Sequence, residues 1–76
     1  MNYMEHIPNN IRHFRYCKML KQSELAEKMG FTSNERISQW ESGKSMPNVQ
    51  KLFDLAKIFE VFPHEIYPEL WKISLE

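Results

Sequence analysis

The stretch "QSELAEKMGFTSNERISQWESG", residues 22–43, decides the fold. In its first part Leu25, Ala26 and Met29 fall on one side of a short helix, with Glu24 near the positive N-terminal end and Gly30 placed to stop it. In its second part Thr32 or Ser33 suits an N-cap, and Ile37 and Trp40 line one face until Gly43 ends the run. The spacing predicts a second helix over about residues 22–29 and a third over about 33–42. Two short helices joined by a tight turn at a glycine make a helix-turn-helix, with small Ala26 where they cross. Asn34, Glu35, Arg36 and Gln39 then point outward.

Working outward, helical periodicity recurs and strand alternation does not. Pro8 suits a first helical turn, and Ile7, Ile11 and Phe14 share a face, which predicts helix one over about 8–19. "GKSMPN" (43–48) reads as a loop in which Asn48 caps the next helix. That helix, 49–60, carries Val49, Leu52, Phe53, Ala56 and Phe59 as its apolar stripe, widened by Leu55 and Ile58. Pro63 opens a short fifth helix with Ile66 and Leu70 one turn apart, which Pro68 must kink or end. The expected fold is all-α: a compact five-helix domain. The core set includes Leu25, Ile37, Trp40, Leu52 and Phe53, thickened by five Phe, three Tyr and two Trp.

Seventy-six residues suit one domain, 1–76, with a core over about 8–70 and ends that fray. The lone Cys17 has no internal disulfide partner, so packing must supply the stability, as in a reducing cytoplasm. It reads as a half-buried small apolar residue. No apolar stretch is long enough to span a membrane, and residues 1–10 lack the basic flank and apolar core of a signal peptide. Net charge is zero, which argues against binding nucleic acid by bulk electrostatics. The distribution is uneven. Residues 1–51 carry eight Lys or Arg against five Asp or Glu, and residues 52–76 carry two against five.

Catalytic chemistry finds no foothold. No nucleophile, base and orienting acid are grouped, no glycine-rich phosphate cradle exists, and no cofactor is expected. His13 and Cys17 have the i, i+4 spacing of two metal ligands, but zinc wants three or four. Neither an enzyme nor a metal protein is expected.

"QSELAEKMG", "ISQWESGKSMPN" and "LFDLAKIFEV", in this order and at these spacings, resemble the phage-repressor-like Cro/CI family of helix-turn-helix regulators, the XRE type, over roughly residues 9–68. The resemblance implies a lambda-repressor-like DNA-binding domain acting on a double-stranded operator. By position it implies base-reading roles for Gln22, Ser33, Asn34, Glu35, Arg36 and Gln39. It implies phosphate contacts for Ser42, Lys44, Ser45 and Asn48, with Arg12 facing the same way. The residue types suit these roles, since Arg pairs with guanine, Asn and Gln with adenine, and Glu accepts from cytosine.

The pattern departs from the family in three places. Ala26 and Ile37 are eleven residues apart, one more than the commonest spacing, which leaves the register of Asn34, Glu35 and Arg36 open. Lys21 stands where Ser or Thr would cap helix two. Glu35 has two readings, a reader of cytosine or a capping-box acid turned back to its own helix.

One recognition helix reads few base pairs, so a homodimer is expected, at least on DNA. Tyr67 and Trp71 either close the monomer's core or form the two-fold patch. The expected function is a sequence-specific repressor. The alternatives are an antitoxin that also holds a protein through the acidic C-terminal region, or an interaction module that kept the fold and lost DNA binding.

Overall fold

The computed structural model describes residues 6–74, with side chains through residue 72. Six helices follow one another: α1 (Ile11–Cys17), α2 (Gln22–Lys28), α3 (Glu35–Ser42), α4 (Val49–Phe59), α5 (Pro63–Ile66) and α6 (Pro68–Ser74). The described residues form no strand. The fifth helix expected from sequence is thus two. Pro68 ends α5 and, lacking only an N–H that a first helical turn leaves unpaired, opens α6.

Each of the first five helices contributes one fully buried aliphatic side chain: Ile11, Leu25, Ile37, Leu55 and Ile66. Ala26, Met29, Trp40, Ala56, Phe59 and Tyr67 complete the buried cluster. On α4 the buried stripe differs from the expected one. Leu52, Leu55, Ala56 and Phe59 run i, i+3, i+4, i+7 toward the core, which turns Val49 (70% exposed) and Phe53 (48% exposed) to the flank.

The helix ends show how local chemistry sets direction. After α2 the Gly30 N–H donates to Glu27 O and the Phe31 N–H to Ala26 O, a Schellman closure with Gly30 at φ +82°. Gly43 closes α3 the same way at φ +83°, and Glu60 closes α4 at φ +61° without a glycine. Lys21 offers no side-chain cap, but Glu24 Oε1 accepts from the Lys21 N–H at 2.7 Å and occupies that start of α2.

Helix α1 begins three residues after Pro8, which lies outside it. Asn9 explains the shift: its Oδ1 accepts from the Ile11 N–H at 3.0 Å while its Nδ2 donates to Trp40 O at 2.9 Å. Asn10 donates through its backbone N–H to Ile66 O and through Nδ2 to Glu65 O. These two asparagines fasten the start of α1 to the end of α3 and to α5, which fixes the frame around the helix-turn-helix.

Candidate nucleic-acid interface

Helix α3 starts at Glu35, two residues later than expected, with Asn34 at the N-cap. Ser33 and Asn34 therefore belong to the turn. The extra residue between Ala26 and Ile37 is absorbed there, where the backbone bends at each of residues 32–34 before the helix. Glu35 is the first helical residue, not the third, so the capping-box geometry does not apply to it. The Ser33 Oγ sits 3.5 Å from the Glu35 backbone nitrogen, at the edge of a hydrogen bond.

With Ile37 and Trp40 buried, Glu35, Ser38, Gln39 and Ser42 fall at i, i+3, i+4, i+7 on the opposite side of α3. Glu35, Ser38 and Gln39 are exposed and carry no packing duty. Ser38, which is not among the residues expected from the sequence, joins them because it lies three residues after Glu35 on the same face, a spacing that the sequence itself carries. The Ser42 hydroxyl donates back to Gln39 O at 3.1 Å.

Beneath this stripe lies a polar network that the sequence did not reveal. The Glu41 side chain is fully buried and its carboxylate receives four hydrogen bonds. Arg15 donates from Nε at 2.6 Å and from Nη2 at 3.2 Å, Gln22 from Nε2 at 3.0 Å and Arg12 from Nε at 3.2 Å. Arg15 Nη1 also donates to Leu20 O at 2.7 Å, which makes this buried guanidinium a strut between α1, the loop after it and α3. Burial alone would push the Glu41 carboxyl up. The hydrogen bonds from Arg15, Gln22 and Arg12 outweigh it and hold the group below the usual carboxylate value.

The remaining expected site residues divide by what they touch. Gln22 is half-buried and committed to Glu41 through Nε2, while its Oε1 lies 3.4 Å from Asn34 Nδ2. Arg12 keeps an exposed side chain beside the same carboxylate. Asn48 caps α4, its Oδ1 accepting from the Lys51 N–H at 2.8 Å. Lys44 is exposed and Ser45 half-buried in the loop after Gly43. Arg36 leans off the outward stripe, its guanidinium 4.7 Å from the centre of the Phe31 ring.

Tyr67 is buried, at 4% exposure, so of the two residues expected at a two-fold patch only Trp71 offers surface. Trp71 lies 4.8 Å from the His64 ring, which stacks in turn on exposed Phe62. Cys17 is exposed rather than half-buried, 3.7 Å from His13 Nε2. No group of three or more His, Cys, Asp or Glu is placed to hold a metal among the described residues. Among the same residues no helix is long and apolar enough to cross a membrane.

A short helix, a glycine turn and a second helix held by Ile37 and Trp40 with a polar outer stripe form a helix-turn-helix, and the helix-turn-helix family profile matches residues 17–66. This chain belongs to the XRE-type helix-turn-helix family. It is similar to the HTH-type transcriptional activator BcrR of Enterococcus faecalis, 39% identical over 56 residues. The match covers 74% of this chain and 27% of that protein, so the chain resembles only a part of its relative. No solved structure matches the chain at a significant level.

Proposed function

We propose that this XRE-type protein recognises one DNA sequence by laying α3 in the major groove of an operator and represses the promoter it covers. The observation that carries the reading is the stripe Glu35, Ser38, Gln39 and Ser42, polar, outward and surplus to the core. A B-DNA major groove, about 12 Å wide, admits one helix whose protruding residues meet the base edges. On this reading Glu35, Ser38 and Gln39 face bases, Gln22 supports them from the start of α2 and Asn34 from the turn, and Ser33, Arg12, Ser42, Lys44, Ser45 and Asn48 lie along the phosphates. The zero net charge then matters little, because cations near the stripe set the local field.

Two copies would bind half-sites about one helical turn apart. The adjoining rings of Phe62, His64 and Trp71 would give the apolar surface for that pairing. The test is binding of the purified protein to DNA upstream of its own gene at about 50 and 200 mM salt, followed by a promoter reporter. One duplex bound far above random sequence, with falling reporter output, is the expected result. Equal binding to every duplex overturns sequence recognition, and rising output with specific binding makes the protein an activator.

A further inference from the structure

The side of α3 that faces α4 carries a feature that base reading does not use. The Phe31 ring has two cations over it, Arg36 with Cζ at 4.7 Å and Lys51 with Nζ at 5.4 Å from its centroid. The ring is itself held edge-on against buried Trp40, at 5.7 Å between centroids. Around it Met29, Gly30, Thr32 and Ser33 complete an open recess of about 350 Å³. No carboxylate lines that recess. Neither Arg36 nor Lys51 belongs to any ion pair among the described residues, although four such pairs occur elsewhere.

Two like charges over one ring repel, and Lys51 adds a second penalty. It stands in the first turn of the 11-residue α4, where the unpaired N–H groups already give a positive end. The ring face offsets part of this, since the quadrupole of an aromatic ring attracts a cation over its face. An anion between the two cations would relieve both penalties at once.

Building on the proposed operator binding, we infer that Arg36 and Lys51, positioned by Phe31, form a clamp for a backbone phosphate at the α4 edge of the recognition helix. The duplex is the source because the recess is open and adjoins the outward stripe of α3. A strand running along that edge of the groove would present its phosphates there, with the Thr32 and Ser33 hydroxyls as further donors. Arg36 then contributes affinity without sequence preference, and Lys51 enters the interface from a different helix. Lys44 lies in the other direction, past the C-terminal end of α3.

The experiment compares wild type with Arg36→Gln and Lys51→Gln, which keep much of each stem over Phe31, on the operator and on random duplex from about 50 to 200 mM salt. Each substitution is expected to weaken both duplexes by the same factor. Each should also lower the slope of log K against log salt by about 0.9, the value of one phosphate contact on B-DNA. An unchanged slope for Lys51→Gln overturns the clamp while specific binding by wild type keeps the operator reading. Loss of preference at one base pair in Arg36→Gln, with random duplex unaffected, makes Arg36 a base reader and also overturns it. If wild type shows no salt-dependent binding to any duplex, the operator reading fails and the clamp with it. A final arm titrates inorganic phosphate against Trp fluorescence. Saturable binding that Lys51→Gln removes, with an unchanged DNA slope, would assign the recess to a free anion and overturn the duplex assignment.

Discussion

Arg15 on α1 and Glu41 on α3 form a bidentate pair, Nε to Oε2 at 2.6 Å and Nη2 to Oε1 at 3.2 Å, with the carboxylate wholly out of solvent. Removing one partner of a buried pair strands the other charge and costs about 3–5 kcal/mol. That approaches the whole stability of a small domain. Glu41→Ala should therefore lower the melting temperature by at least about 10 °C, since 1 kcal/mol moves a domain of this size by roughly 4–8 °C. The double variant Arg15→Met with Glu41→Leu should recover most of the loss. Thermal melts of the three proteins decide it, and a double variant as unstable as the single one would mean that the network, not the stranded charge, sets the cost.

The same pair gives the protein an acid limit. Glu41 titrates below its ordinary value in the folded chain, so its stabilisation is complete above the unfolded value of about 4.3 and is lost as pH falls through the lower, folded value. Urea midpoints should hold level from about pH 7 to 5 and fall steeply below about 4. Glu41→Gln should start lower and show a shallower acid fall. Parallel curves for the two proteins would assign the acid limit to other carboxylates.

Gly30 and Gly43 share a backbone conformation but not an environment. Both have positive φ, +82° and +83°, where a side chain is strained. A Cβ on Gly30 would meet nothing within 4 Å, whereas one on Gly43 would lie 2.5 Å from Ile7 N and 2.7 Å from Ile7 O. Ile7 comes that close because its N–H donates to Gly43 O at 2.8 Å. Gly30→Ala should cost about 1–2 kcal/mol, the ordinary penalty for left-handed backbone. Gly43→Ala should cost clearly more and displace the segment before α1, and denaturant midpoints measured side by side give the comparison.

These pairs also mark what the sequence made legible. Periodicity places α2, α3 and α4 because each buries a stripe with helical spacing, and the glycines mark two ends because only they accept the closing conformation cheaply. What escaped is non-local. Arg15 and Glu41 are 26 residues apart, and nothing in either neighbourhood distinguishes them from solvated surface charges. The exposure of Phe53 is decided by which side of α4 meets α5, and Leu55 and Phe53 are equally apolar in sequence. The start of α3 is ambiguous in sequence because Ser33, Asn34 and Glu35 are all plausible first-turn residues, and the extra turn residue chooses among them.

Tyr67 tests the core at its weakest point. Its hydroxyl is buried with no hydrogen-bond partner among the described protein groups, and burial pushes its pKa up to about 12. An unsatisfied buried group costs about 1–3 kcal/mol, so Tyr67→Phe should leave stability equal or raise it by up to about 1 kcal/mol. With the folded value above the ordinary one near 10, the stabilisation is full below about pH 10 and is lost as pH rises toward about 12. Tyr67→Phe should soften that alkaline loss. A destabilisation beyond about 1 kcal/mol at neutral pH would show that the hydroxyl has a partner after all.

Gln39 and Lys44 separate the two ways in which the proposed interface would hold DNA. Gln39 sits mid-stripe on α3 with its side chain exposed, where an amide can pair with adenine in two hydrogen bonds. Lys44 is exposed in the loop just after α3, where the proposed docking would set it beside a phosphate. Gln39→Ala should reduce operator binding by about 1–3 kcal/mol and leave random duplex unchanged, so the preference at one base pair disappears. Lys44→Ala should weaken both duplexes alike and flatten the salt dependence by about one unit of slope. Competition binding at two salt concentrations distinguishes the patterns. If Gln39→Ala behaves like Lys44→Ala, the stripe grips the backbone and sequence is read through the deformability of the duplex instead.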